Sequence, residues 1–311
     1  MRVLRLEAGS VVRGGQELAG PGAPIWMDLE PTPEHLAFLA TRFGFHPLAL
    51  EDCAHEGQRV KFDQYADYLF TVVHRLSPSP DESEIVATEI HAFLLADALI
   101  TVHRSPIAQV DEIFERCARD PTLLSRGPDF ALYLVHDAVT DIHFAVVDAL
   151  TEEVEELTTE ALDEESAPDL LARIVAARRS HALLRRRLAP QREVFAALAR
   201  PGQAVVRDAT ALYFRDVMDH VLRLTEEIDS SRDMVSSAME VHLSRANVRL
   251  AAVTTRLTLI ATIFLPLNFM AGFFGMNLEI LPPAVAVPVV LTAMIVVPTG
   301  LLLYIRRRRW A

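Results

Sequence analysis

Six residues in the last fifth of the chain, Thr254, Leu257, Ala261, Leu265, Asn268 and Gly272, are separated by steps of 3, 4, 4, 3 and 4. On a helix they fall on one face. That face alternates small or polar groups with leucine. Asn268 lies near the middle of an apolar stretch. A lone amide is costly there, so it serves either a water-lined path or a bond to a neighbouring helix. Pro266 lacks an N–H and leaves a carbonyl one turn earlier without its helical partner, an arrangement best suited to a position beside water. Just beyond stand Gly275, Met276 and Asn277. The glycine permits a tight turn or a close approach of chains, and the asparagine offers a neutral carbonyl oxygen. A ring of such oxygens from several copies would hold a cation through its water shell. That behaviour suits Mg²⁺, which binds oxygen and dehydrates reluctantly. Taken alone, a helix cap by Asn277 is the simpler account of these three residues.

The elements that must position these groups are apolar. Leu257 to Phe274 is 18 residues without a charge, and Ala284 to Ile305 is 22. A membrane-spanning helix needs about 17–25 apolar residues. Arg245, Arg249 and Arg256 precede the first stretch and Arg306 to Arg309 follow the second, with Trp310 beside them as an interfacial anchor. The loop between, 277–283, carries one acid, Glu279, and no base. The positive-inside rule therefore predicts both termini in the cytoplasm and the short loop outside an inner (plasma) membrane. Met1 to Val12 lacks the apolar core of a signal peptide, so the long N-terminal part is expected to remain cytosolic. Two spans cannot enclose a water-filled path. A conducting structure needs several copies around an axis, with residues 257–276 lining it and 284–305 outside.

The whole chain of 311 residues combines 51% hydrophobic residues with a net charge of −12 and a mean hydropathy of +0.22. Charge and apolar residues must therefore be segregated along it. The acidic balance argues against a nucleic-acid partner. Two cysteines, Cys53 and Cys117, exclude a disulfide scaffold and a cysteine-based zinc ribbon. No GxxxxGK[ST] phosphate loop, HExxH or GxSxG is present, so neither ATP-driven transport nor a familiar hydrolase is indicated, and no organic cofactor is expected.

Residues 1–126 are predicted to form a mixed α/β domain. Tyr68–Val73, Ile90–Leu95 and Leu99–His103 are β-rich runs, Ser77 to Asp81 is a loop, and Glu34–Phe43 and Pro47–Cys53 are short helices. His91 and His103 flank a strand pair, and His55-Glu56 has no third metal ligand nearby in sequence. Residues 127–202 read as an antiparallel helix pair, Asp129–Leu162 and Pro168–Arg200. The first ends in an acidic run and the second is rich in arginine. Solvated faces explain both runs, and gathering of cations by the acidic run, or its pairing with the arginines, is the alternative. From Gln203 one helix is predicted to run to Pro266 and beyond as a stalk, 203–256, entering the first span. Val217, Val221, Leu224, Ile228, Ser231, Val235 and Ala238 form its heptad-like seam. Residues 306–311 are a basic cytosolic tail.

Thr262 to Asn277 (TIFLPLNFMAGFFGMN), followed within a few residues by a second span and an Arg-Arg-Arg-Arg-Trp ending, resembles the CorA family of magnesium transporters. HPLALED (46–52), QRVKFDQYADYL (58–69) and YFRDVMDH (213–220) resemble further family segments in the same order. The resemblance implies an α+β cytosolic domain, long helices and two transmembrane helices assembled as a homopentameric funnel. It implies uptake of Mg²⁺, with Co²⁺ and Ni²⁺ as further cargo, driven by membrane potential and gated by cytosolic Mg²⁺. Gly275, Met276 and Asn277 match the family's outer mouth, and Leu257 a hydrophobic constriction. Asp216 matches a stalk acid that binds regulatory Mg²⁺ between subunits, with Asp81 and Glu82 as its expected partners. The sequence departs from the family at Phe274, where tyrosine is usual, and at Pro283, where a second loop acid is usual. Thr254, Leu265 and Asn268 replace other residues common in the pore. Loss of the second acid removes about five negative charges from a pentamer's mouth and should weaken cation capture. The zinc-transporting ZntB branch has a different middle residue in this motif, and Met276 favours the magnesium side. A zinc transporter and a non-conducting membrane-anchored sensor are the alternatives.

Overall fold

A computed structural model describes residues 1–20, 22–79, 85–163, 167–274 and 283–307. The chain divides into two units, Met1–Met239 and Glu240–Ala311.

The first unit is built on a seven-stranded sheet: β1 (Arg2–Glu7), β2 (Ser10–Gly14), β3 (Ile25–Leu29), β4 (Lys61–Gln64), β5 (Tyr68–Pro78), β6 (Ile85–Leu95) and β7 (Ala98–Val102). The order across it is β2-β1-β3-β7-β6-β5-β4. Only the β3–β7 pair is parallel, with Ile25 opposite Ala98 and Leu29 opposite Val102. These two central strands, IWMDL and ALITV, are buried at every position. Burial on both faces is why they are mostly apolar rather than alternating, and their two polar members, Asp28 and Thr101, bond each other. The other pairs are antiparallel, and β5 and β6 form an 11-residue ladder from Tyr68–Leu95 to Pro78–Ile85.

Side-chain alternation sends Leu4, Trp26, Leu69, Val73 and Ile90 to one face of the sheet and Val3, Met27, Phe70, Val72 and Phe93 to the other. The second face is covered by α1 (Pro33–Phe43) and α2 (Pro47–Ala54) through Leu39, Ala49 and Cys53. Pro33 starts α1 behind Thr32, whose hydroxyl accepts from the His35 N–H, and Gly44 ends it at φ 67°. The first face carries α3 (Ala108–Arg119), α4 (Pro121–Ser125), α5 (Pro128–Ala161), α7 (Gln191–Leu198) and the start of α8 (Asp208–Phe274). The remaining helix of this unit, α6 (Leu170–Leu188), packs with α5 and α8 through Leu184, Leu188, Val146, Val147, Leu224 and Ile228. All seven seam residues from Val217 to Ala238 are buried.

The structure corrects several expectations. The helix predicted from Pro168 to Arg200 is two helices, broken at Ala189-Pro190. Proline cannot donate to the Arg186 carbonyl, and its ring crowds that turn. The long helix starts at Asp208 rather than Gln203. Before it, the Arg207 backbone N–H donates to the Asp129 carboxylate. Strand β5 continues through Ser77-Pro78, which was expected to be loop. Strands β1, β2, β3 and β4 were not anticipated.

The second unit contains the C-terminal part of α8 and α9 (Pro283–Arg307). Pro266 lies inside α8, and Pro288 and Pro298 inside α9. Thr254, Thr258 and Thr262 donate their hydroxyls to the carbonyls of Leu250, Thr254 and Thr258 at 2.8–2.9 Å. Each hydroxyl proton is thus satisfied within the helix, which matters where water is scarce.

Candidate functional site

Thr254, Leu257, Ala261, Leu265, Asn268 and Gly272 are all exposed. Leu265 retains 76% of its surface and Leu257 62%. None of the most apolar 18-residue window of α8 is buried, whereas 61% of the corresponding window of α5 is. Both helices pass the same length and composition test. Burial separates them: α5 is the core helix of a folded unit, and the end of α8 leaves its apolar residues exposed or only partly covered. Such surface is stable only against lipid or against other chains. Gly275, Met276, Asn277 and Glu279 lie outside the described residues, as do Asp81 and Glu82.

Asp216 stands on α8 with its side chain 63% exposed, its Oδ2 3.8 Å from Nε2 of His220 one turn on. Facing that turn are Asp137 and Asp141 of α5. Ligand atoms of Asp137, Asp141 and His220 all lie within 4.8 Å of one another. Tyr133 donates its hydroxyl to Oδ2 of Asp137 at 3.2 Å. Burial raises the Asp137 carboxyl above its usual range. The charges of Asp141 and Asp216 add to that, while Tyr133 and His220 oppose it. The Tyr133 phenol is pushed up to about 12, by burial first and then by Asp137. Like charges four residues apart on a helix repel. A cation here would reverse both that repulsion and the upward shift. Sequence reasoning found Asp216 but missed Asp137 and Asp141. Their only signal is the i, i+4 acid pair in HDAVTD, indistinguishable by itself from a solvated face.

Several contacts fix this part of α8 on α5. The Asp129 side chain, 3% exposed, takes Nη2 of Arg207 at 2.5 Å and the Arg207 backbone N–H at 3.1 Å. Gly127, at φ 98°, provides the backbone conformation that lets Pro128 start α5 there. Arg126 donates to the Tyr213 hydroxyl at 2.9 Å and lies 3.4 Å above the Phe130 ring. Further along, Ser231 donates to Nε2 of His181 at 2.8 Å, and Arg185 donates to Asp229 at 2.6 Å. The arginines of α6 thus have α8 as well as the acidic helix for partners. Arg173 does pair with Glu160 at 2.6 Å, while Glu152, Glu155 and Glu156 are exposed as a solvated face.

His103, His91 and His55 serve the fold. His103 is buried, with Nε2 3.0 Å from Asp28 Oδ1 and Nδ1 2.7 Å from the Ser105 carbonyl. Burial opposes its charged form, but the bond to Asp28 and that carboxylate's charge outweigh it, and the ring's pKa is raised. His91 is buried as well, and burial lowers it to about 4. His55 is exposed and bonds the Glu51 carbonyl.

A folded α+β unit joined through one unbroken helix to an uncovered apolar helix, with a second apolar helix after it, defines a membrane protein with a large water-soluble portion. Residues 22–307 match the family described as CorA-like Mg²⁺ transporter protein, and the chain belongs to that family. It is 30% identical to the cobalt/magnesium transport protein CorA of Thermotoga maritima over 295 residues, 92% of this chain and 83% of that one. The fold matches the complete structure of the CorA magnesium transporter from Methanocaldococcus jannaschii with a TM-score of 0.85 at 19% identity, covering 100% of this chain and 99% of that one. Full-length CmaX gives a TM-score of 0.79 at 23% identity, covering 100% and 98%. These likenesses bear out the expected α+β domain, long helices and two apolar helices from end to end.

Proposed function

We propose that the protein is a divalent-cation channel that takes up Mg²⁺, and also Co²⁺ and Ni²⁺, across the inner (plasma) membrane. Both termini are cytoplasmic. Five copies surround one axis, and the stripe from Thr254 to Gly272 on each faces it. The observation that carries this reading is that stripe: polar or small groups at helical spacing, every one exposed, on a helix with no buried residue in its most apolar window. Hydrated Mg²⁺ meets the Asn277 carbonyl oxygens at the outer mouth, beside Gly275, Met276 and Glu279. It keeps most of its water and passes Asn268 and Thr254. Asn268 supplies an amide oxygen, and the Thr254 hydroxyl, its proton held by Leu250, presents lone pairs. A divalent ion gains about 4–5 kcal/mol per 100 mV of inside-negative potential. No chemical fuel is required.

Leu257 forms the constriction, which closes by dewetting when the ring narrows. Cytosolic Mg²⁺ is the closing ligand. It binds with its water shell at Asp216, with Asp137, Asp141 and His220 beside it in one chain and with Asp81 and Glu82 as acids from a neighbouring subunit. When Mg²⁺ falls, uncompensated carboxylates repel and the stalks splay. This is a population shift produced by preferential binding to the closed state. The test is ion flux into liposomes holding the purified protein, comparing Mg²⁺, Co²⁺, Ni²⁺ and Zn²⁺ with and without a pH gradient. Mg²⁺ entry that follows an imposed inside-negative potential supports the channel. Entry of Zn²⁺ but not Mg²⁺ would replace it with a zinc transporter, and no flux with a non-conducting sensor.

A further inference from the structure

Away from the acidic cluster, a cleft of about 470 Å³ opens between the loop before β4 and the end of α6. Gly57, Arg59 and Val60 line one side, Arg186, Arg187 and Pro190 the other, and His74 of β5 the floor. The three arginines converge on one space. None is within ion-pair distance of a carboxylate among the described residues, whereas Arg185 and Arg173 on the same helix are paired. The Arg187 Nε is buried without a hydrogen-bond partner. His74 is 1% exposed. Its Nε2–H is held by the Gln58 carbonyl at 3.0 Å, so Nδ1 carries a lone pair, and that atom has no partner.

The loop is held in place before any ligand arrives. Glu89 of β6 accepts from the Gly57 and Gln58 N–H groups at 2.8 and 2.9 Å. With Glu89 counted against the three guanidinium groups, the site remains net positive. It therefore combines forked donors, suited to a phosphate, with one buried acceptor that calls for a hydroxyl or amine donor. Its volume falls in the range of small-molecule pockets and far exceeds that of a lone phosphate ion.

We propose that this cleft binds a phosphorylated small molecule that also carries hydroxyl or amine donors, of the nucleoside polyphosphate class. Its oxyanions lie among Arg59, Arg186 and Arg187, and a donor group reaches His74 Nδ1. The neutral tautomer is favoured there, because burial and then the Arg187 charge lower the His74 pKa to about 4. The site is connected to the stalk. α6 holds α8 through His181–Ser231 and Arg185–Asp229, the second of these one residue before Arg186. Ligand drawn to the end of α6 therefore acts on the helix that bears Asp216.

The test is calorimetric titration of the full-length protein in detergent with EDTA present, using ATP, inorganic phosphate and adenosine as probes. The expected result is that ATP binds more tightly than phosphate, phosphate competes with it, and adenosine is weakest. Arg59→Gln with Arg186→Gln, both exposed and so compatible with folding, should weaken ATP binding by about tenfold or more at unchanged Tm. Phosphate binding as tightly as ATP would overturn the nucleoside assignment. Absence of binding by every phosphate probe, or ATP binding unaltered in the double variant, would overturn the site.

Discussion

Replacement of Asp216 by Asn removes one charge from the proposed regulatory site while keeping its size. The carboxylate lies 3.8 Å from His220, whose ring shares a 4.8 Å cluster with Asp137 and Asp141. An Mg²⁺ ion held there would stand about 5 Å from the Asp216 charge. With the side chain 63% exposed, the dielectric near it is close to that of water. A unit charge and a divalent ion at that separation then attract by about 1.7 kcal/mol, a change of about fifteenfold in affinity. The internal Mg²⁺ concentration that halves uptake should therefore rise by about that factor in Asp216→Asn. Asp137→Asn is half-buried and should raise it at least as much. Asp219→Asn, an exposed acid on the same helix outside the cluster, removes the same formal charge and should shift it little. The assay is Mg²⁺ uptake by liposomes preloaded with graded Mg²⁺. Equal inhibition curves for the wild type, Asp216→Asn and Asp137→Asn would refute the assignment. A curve shifted as far by Asp219→Asn would show that only the general field matters.

Other perturbations follow from the same contacts. His74 and His91 are held neutral with pKa values near 4, and His136 and His143 near 3, all chiefly by burial. The unfolded chain takes up protons first as pH drops below about 6.5. Their contribution to stability is therefore present above that pH and lost as pH falls toward the folded values, at about 2 kcal/mol per ring by pH 5. Urea unfolding of the unit Met1–Met239 in the full chain, followed by circular dichroism, should show a falling midpoint between pH 7 and 5, and a flat one would contradict it. Arg207→Ala leaves the buried Asp129 carboxylate without its guanidinium and should cost about 2–3 kcal/mol, read as a Tm lower by several degrees. Asn277→Ala should abolish uptake while the oligomer, measured by light scattering, stays intact.

What could be read from the sequence was periodic and local. The seam from Val217 to Ala238 repeats every three to four residues, and each of its seven members is buried. The apolar ends stand out because no charge interrupts them. α2 announced itself through Pro47 at its first turn. Elements whose identity depends on distant partners were not legible. β4 is four residues, KFDQ, at a sheet edge, and only pairing with β5 makes it a strand. β1, RVLRLE, carries three charges and is fixed by neighbours on both sides. His103 meets Asp28 across 75 residues of chain, and Asp137 meets His220 only because α5 and α8 pack together. Pro190 was overlooked because helix-forming residues flank it on both sides.

The central claim is that one face of the α8 end borders water inside an assembly of several chains. Single cysteines placed along 254–272 test it directly, read out as block of Mg²⁺ flux by a small charged thiol reagent. The background is quiet, since Cys53 and Cys117 are both buried with thiol pKa values raised chiefly by burial. Cysteines at 254, 257, 261, 265, 268 and 272 should react and block flux, while those at Leu259, Ile263 and Met270, on the opposite face of the helix, should not. Reactivity spread evenly around the helix, or confined to the second set, would contradict the account.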